Sequence, residues 1–253
     1  VDVKVFLPLY KAIRSKAQEL FLTKVVDSVP LEWKGEVLRY SLWESRQKGF
    51  TAYFIDQEGY FDREGLYGTS AGDYSDNGER FAFFCLAALE SMKKIHFRPS
   101  LLHGHDWQSA PALAYLKHPR PAEDFFRQTR SLFTIHNLAY QGLFPPEILA
   151  AVGLPESLFH MTDLEFYGQV SFLKAGILYA SAVNTVSPTY SREIQTPEFG
   201  CGLDGLLRHR SHVLTGILNG VDYSAWDPAS DIHLAARYSP DDLGGKSECK
   251  NDL

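Results

Sequence analysis

Two histidines at alternate positions, His103 and His105, stand directly before Asp106 and Trp107. A pair in that spacing after a strand can ligate a divalent metal, and such pairs open many metallohydrolase barrels. Completing that site needs further His, Lys or Asp at later strand ends. His136 is the only other candidate there, and Asn137 follows it. A ligand set that stays incomplete argues against a metal, so neither metal nor cofactor is expected. The plainer alternative packs His103 under a sheet and uses Asp106 to cap the following helix. Asp106 can combine capping with contact to a hydroxyl.

A second group, His136-Asn137-Leu138-Ala139-Tyr140-Gln141-Gly142, sets an imidazole, amides and a phenol just past an apolar run. A lone histidine in that place is ordinarily structural. Grouped with Asn137, Tyr140 and Gln141, it forms a hydrogen-bonding set suited to a ligand rich in hydroxyls. The run Gly200-Cys201-Gly202-Leu203-Asp204-Gly205 matches G-x-G-x-x-G. That pattern signals a dinucleotide only after a strand, with an acidic residue at the next strand end. Here it follows a helix and the loop Thr196-Pro197-Glu198-Phe199, so the dinucleotide reading fails on context. Asn219-Gly220 taken alone is a turn signal. No Gly-x-Ser-x-Gly elbow, Walker loop or zincin helix occurs.

The elements that must position these groups follow a repeating plan. Ser100-Leu101-Leu102 leads into His103, Leu132 to Ile135 into His136, Ala182 to Val186 into Ser187-Pro188, and Val213 to Leu218 into Asn219. Each apolar run precedes a polar cluster, and each cluster precedes a helical or turn segment; proline at 188 suits a first helical turn. Such alternation indicates a parallel sheet with helices on both faces, an α/β fold. Ligands bind such sheets outside the carboxyl ends of the strands, so the four clusters converge on one crevice. Upstream, Val3 to Leu9 reads as a strand, and Gly35 to Trp43 with Gly49 to Asp56 as a paired set. Helical spacing of Phe81, Phe84, Cys85, Ala88, Leu89 and Met92 predicts a buried helix from Asn77 to Ile95, with Ser75 or Asp76 able to cap it. A glycine loop leads into a helix from Leu203 to His209. Lys117 to Arg130 reads as a charged, proline-rich surface loop, and a polar helical segment follows Ser239. The abrupt strand at Val3 and the open tail suggest a fragment cut at both ends.

Composition narrows the function classes. The 253 residues are 45% apolar and 22% charged, ordinary for a globular protein, and long enough to bury a substantial core. A net charge of −6 argues against nucleic acid or anionic lipid as partner. No apolar run reaches about 18 residues, so no membrane span is expected. Cys85, Cys201 and Cys249 are scattered and read as reduced thiols rather than a disulfide frame or zinc site.

At this point a resemblance emerges. Phe133-Thr134-Ile135-His136-Asn137-Leu138-Ala139-Tyr140-Gln141-Gly142 closely resembles the signature of glycogen and starch synthases, glycosyltransferase family five. So do His103-Gly104-His105-Asp106-Trp107-Gln108, Phe172-Leu173-Lys174-Ala175-Gly176 and Thr185-Val186-Ser187-Pro188-Thr189-Tyr190. Gly202-Leu203-Asp204-Gly205-Leu206-Leu207 and Leu218-Asn219-Gly220-Val221-Asp222 complete the series, in family order, over nearly the whole chain.

The resemblance implies a GT-B enzyme of two Rossmann-like domains, with residues 1–253 the N-terminal, acceptor-side catalytic domain truncated at both ends. It implies glucose transfer from ADP-glucose, or UDP-glucose, to the non-reducing end of an α-1,4-glucan with retention, in glycogen or starch biosynthesis and without metal. His136 would lie beside the transferred glucose, with Asp106 as the second catalytic group. Tyr67, Asn137, Asn219, Tyr140 and Gln141 would bind substrate. The family's first strand, with its Lys-x-Gly-Gly-Leu loop, and its C-terminal GT-B domain, a required partner, fall outside this sequence. Little transfer is therefore expected of the chain alone. The setting implied is a bacterial cytoplasm, or a plastid. Competing readings are a non-catalytic glucan-binding half-domain, the metallohydrolase, and a sucrose-type synthase.

Overall fold

The computed structural model describes residues 1–119 and 124–253. Within the first unit, Val1–Ile217, β-branched and aromatic runs build two four-stranded sheets, beside a small three-stranded and a two-stranded one. The first contains β1 (Lys4–Pro8), β2 (Thr23–Trp33), β3 (Glu36–Gln47) and β4 (Phe50–Asp56), in the order β1-β4-β3-β2. β1 runs parallel to β4, while β3 pairs antiparallel with both β4 and β2. The hairpin expected around Gly49 is the β3–β4 turn, where Gly49 takes φ +92°. Strand β2 was not anticipated. Pro30 removes a ladder donor, and Ser28 takes φ +53° inside the second of two register shifts, so the segment does not alternate cleanly. Such residues belong on an edge, which is where β2 lies in its sheet.

Helix α1 (Asn77–Lys94) follows its predicted bounds to within a residue. It is buried almost all round: Phe81, Ala82, Phe83, Cys85, Ala87 and Leu89 all sit in the core. Burying one phenylalanine contributes roughly 1.5–3 kcal/mol, so this helix anchors the first unit. Neither expected cap forms. Asp76 occupies the N-cap position without a side-chain cap bond, because its carboxylate takes both guanidinium nitrogens of Arg63 at 2.7 and 2.6 Å.

The second sheet is wholly parallel and carries the repeating plan. It comprises β5 (Leu101–His105), β6 (Arg130–Ile135), β7 (Ala182–Thr185) and β8 (Leu214–Gly216), in the order β8-β7-β6-β5. Between these strands lie α2 (Asp106–Lys117), α3 (Phe172–Tyr179), α4 (Pro188–Glu193) and α5 (Asp204–His209). One face, with Leu102, Phe133, Ile135 and Val183, is buried with α1, α2 and α3 in a single apolar core. The other face presents Leu101, His103 and His105 on the open side of the sheet, the two imidazoles partly covered by packing against each other. Helix α4 starts as expected: Pro188 holds its first turn, and Ser187 Oγ accepts from the N–H groups of Thr189 and Tyr190.

Of the loop expected over Lys117–Arg130, residues 120–123 lie outside the described residues. The second unit, Leu218–Leu253, is mostly turns plus a helix at Gly244–Asp252, within the polar tail expected to be helical. Cys85, Cys201 and Cys249 are unbridged. No helix among the described residues is long and apolar enough to cross a membrane.

Candidate functional site

The carboxyl ends of β5 and β6 bring His105, Asp106 and His136 together. Asp106 begins α2 with φ +54°, a left-handed conformation that costs an L-residue of this kind on the order of 1 kcal/mol. Its carboxylate does not cap α2, as one reading expected. Oδ1 instead accepts the backbone N–H of His136 at 2.8 Å, tying two strand ends together. That bond leaves the second carboxylate oxygen for another donor.

The imidazoles form a row. His105 Nδ1 lies 3.1 Å from His136 Nε2, and the His103 and His105 rings lie 4.1 Å apart. His103 is not under the sheet. It points from the open face, where its Nε2 meets Thr134 Oγ1 at 2.6 Å, and that hydroxyl donates to Asn184 Oδ1 at 2.6 Å. A hydroxyl has one proton, so His103 Nε2 carries the hydrogen and donates. Burial among these neighbours, with His105 and His136 adding to it, depresses His103 to about 4; His105 is lowered for the same reasons. The described residues contain no group of three or more His, Cys, Asp or Glu able to hold a metal ion.

The loop after His136 is braced from below. Thr185 Oγ1 donates to Ile135 O at 2.8 Å, and the Leu138 N–H donates to Tyr190 Oη at 3.1 Å. The Thr185-to-Tyr190 motif thus supports the histidine loop. Gly142 is required by close approach: at φ +60°, a Cβ there would stand 2.6 Å from the Trp107 ring. Lys174 is likewise structural. Its buried Nζ donates to Met161 O at 2.6 Å and Glu165 O at 2.7 Å, and burial lowers its pKa.

Tyr67 is linked to Asp106 through charge and to the core through packing. Its ring packs on Phe81 at 5.8 Å, and its pKa is raised by burial first and then by the charge of the Asp106 carboxylate. The loop bearing Tyr67 is organised by Arg80, which motif reading missed. Arg80 is fully buried and donates to Tyr60 O, Leu66 O and Asn77 Oδ1 at 2.9–3.0 Å, while Asn77 Nδ2 donates to Tyr67 O at 2.8 Å. The rings of Phe61, Tyr74 and Phe81 surround its guanidinium.

The remaining predicted residues separate. Asn137 is exposed beside His136, its Oδ1 accepting the Ala139 N–H at 3.0 Å in an Asx turn. Tyr140 is 67% exposed. Gln141 turns inward instead: it is buried, and Nε2 donates to Cys201 O at 2.9 Å, bracing the glycine loop. Asn219 is exposed in the second unit. His105 was read only as half of a metal pair; its position opposite His136 could have been found by aligning the two strand ends.

The starch synthase catalytic domain family matches residues 1–209. The chain is 44% identical over its full length to the glycogen synthase of Syntrophotalea carbinolica, covering 52% of that protein. It is 50% identical, over 84% of its length, to the glycogen synthase of an Anaeromyxobacter species, covering 45% of it. Among solved structures it is similar to the catalytic domain of starch synthase IV from Arabidopsis thaliana bound to ADP and acarbose. The identity is 29% and the TM-score 0.79, with 100% of this chain and 58% of that one covered. The chain spans about half the length of the curated relatives it matches.

Proposed function

We propose, for a chain that belongs to the starch synthase catalytic domain family, that it is the acceptor-side half of a retaining glucosyltransferase of glycogen or starch synthesis. The donor is ADP-glucose or UDP-glucose, the acceptor an α-1,4-glucan, and the partner a second GT-B domain. One observation carries the site assignment: Asp106 and His136 meet at the carboxyl ends of adjacent parallel strands, the Asp106 carboxylate accepting the His136 backbone N–H.

In this reading His136, Asp106 and Tyr67 hold the hydroxyls of the transferred glucose, and Asn137 supports them. Tyr140 lies at the exposed margin of the same loop, and Asn219 contacts the donor. Transfer develops oxocarbenium character as the nucleoside diphosphate leaves, so catalysis rests on positioning and on stabilising the departing charge. In this reading retention comes from a same-face return of the acceptor hydroxyl, with no covalent glucosyl intermediate. Groups stabilising the diphosphate come from the partner domain, so this chain by itself transfers little glucose. The bacterial relatives support a cytoplasmic setting.

The test is glucose incorporation into glycogen by the natural gene product containing this chain, with each nucleotide donor. His136→Ala is expected to lower kcat by about 100-fold or more while folding is retained. Unchanged turnover would sink the assignment of His136. Absence of turnover in the parent protein, with glycogen still bound, would favour the non-catalytic glucan-binding reading.

A further inference from the structure

We propose that His105 is a positioning residue for His136, fixing through the ring-to-ring hydrogen bond which nitrogen of His136 carries its proton and which edge it offers a ligand. The inference rests on the reading of His136 as a sugar-site group. Its geometric part stands on the chain alone.

Two imidazole nitrogens 3.1 Å apart cannot both be N–H or both be lone pairs. One proton lies between His105 Nδ1 and His136 Nε2, and at most one of the two rings is cationic. Nδ1 of His136 has no hydrogen-bond partner among the described residues, so that edge is the one left for a hydroxyl. The backbone beneath the ring is already held, since the His136 N–H donates to Asp106 Oδ1 and the Ile135 carbonyl accepts from Thr185. What remains free is rotation of the side chain, and His105 is the group that restrains it.

His105 is itself well placed for this. Its carbonyl accepts from Ser109 Oγ at 2.8 Å, and its ring lies on His103, which the Thr134–Asn184 relay holds in place. The charged or titratable groups facing His105 are therefore His103 and Asp106 from its own strand end and His136 from the next. Asp106 favours a cation on His105, whereas burial and His136 oppose it, and the opposing effects prevail. The shared proton and the restrained ring thus fix the edge that His136 offers a ligand.

The experiment is ring-nitrogen NMR on the isotope-labelled 253-residue chain, comparing wild type with His105→Phe and His105→Asn. In the wild type, the two ring nitrogens of His136 are expected to show the separated shifts of a single tautomer. His105→Phe should collapse them toward the averaged pattern of a free histidine and shift the His136 titration midpoint. His105→Asn places an amide where Nδ1 stood and should retain the single tautomer. An unaltered His136 spectrum and midpoint in His105→Phe, with backbone amide shifts elsewhere preserved, overturns the proposal. If His105→Phe fails to fold, the decision passes to His105→Asn and to His105→Leu judged by the same two readouts. In the parent protein, His105→Phe should lower kcat about ten-fold with little change in KM, and His105→Asn should recover most of it. Failure of transfer in the wild type would tell against the sugar-transfer reading and leave the NMR result to decide on His105.

Discussion

His103, His105 and His136 share one row, yet each imidazole is held differently, and the difference sets what acid does to it. His103 donates to Thr134 and is pushed down from 6.5 to about 4, chiefly by burial and then by the neighbouring imidazoles. A histidine whose pKa is lower in the folded state binds protons preferentially when unfolded. Its contribution to stability is complete above pH 6.5 and is lost as pH falls through about 4. The melting temperature should therefore decline between those limits, and His103→Gln, whose amide can replace Nε2, should flatten the decline. Thermal melts of both proteins across that range test it; parallel curves would show that other groups carry the acid sensitivity. At the same scale, Arg80 shows why motif reading misses supporting residues. It touches no ligand, and its carbonyl partners at Tyr60 and Leu66 leave no mark in sequence.

Helices and strands were readable where one period ran without interruption. Helix α1 has apolar residues at every turn, and the parallel strands are short apolar runs ending in polar clusters. Strand β2 escaped because Pro30 and the positive φ at Ser28 break its alternation, and only pairing with β3 defines it. The glycines of the Phe172-to-Gly176 and Gly202-to-Leu207 motifs also divide by environment. A Cβ on Gly176 would stand 2.3 Å from the ring of Phe133, which is fully buried and cannot retreat. Gly176→Ala is expected to destabilise the chain by about 1–3 kcal/mol. Gly205, on α5, has only the Arg208 guanidinium at 3.8 Å, so Gly205→Ala should be neutral or stabilise by up to about 1 kcal/mol. Urea unfolding of the pair checks both signs; equal effects would mean that α3 shifts to admit the methyl group.

Across the whole chain, burial is concentrated in Val1–Ile217. Leu218–Leu253 contains no buried residue, and Leu218, Tyr223, Trp226 and Ile232 are each more than 70% exposed. Without apolar burial to offset conformational entropy, its backbone bonds open readily. Hydrogen exchange should show amides of this segment exchanging far faster than those of α1 and β6. Protection there equal to the core would show that the segment folds cooperatively with the rest.

From its sequence alone, this chain declares an α/β fold, its parallel strands and the motifs of its family, because periodicity, turn chemistry and motif order are local properties. Tertiary structure alone decided how those motifs are used. Gln141 turned inward to a carbonyl 60 residues away, while Asp106 reached across 30 residues to a backbone amide instead of capping its own helix. His105, half of an incomplete metal pair in sequence, became the partner of His136. Each outcome depends on which strand ends become neighbours. Strand order follows from packing the whole core, and no single segment encodes it.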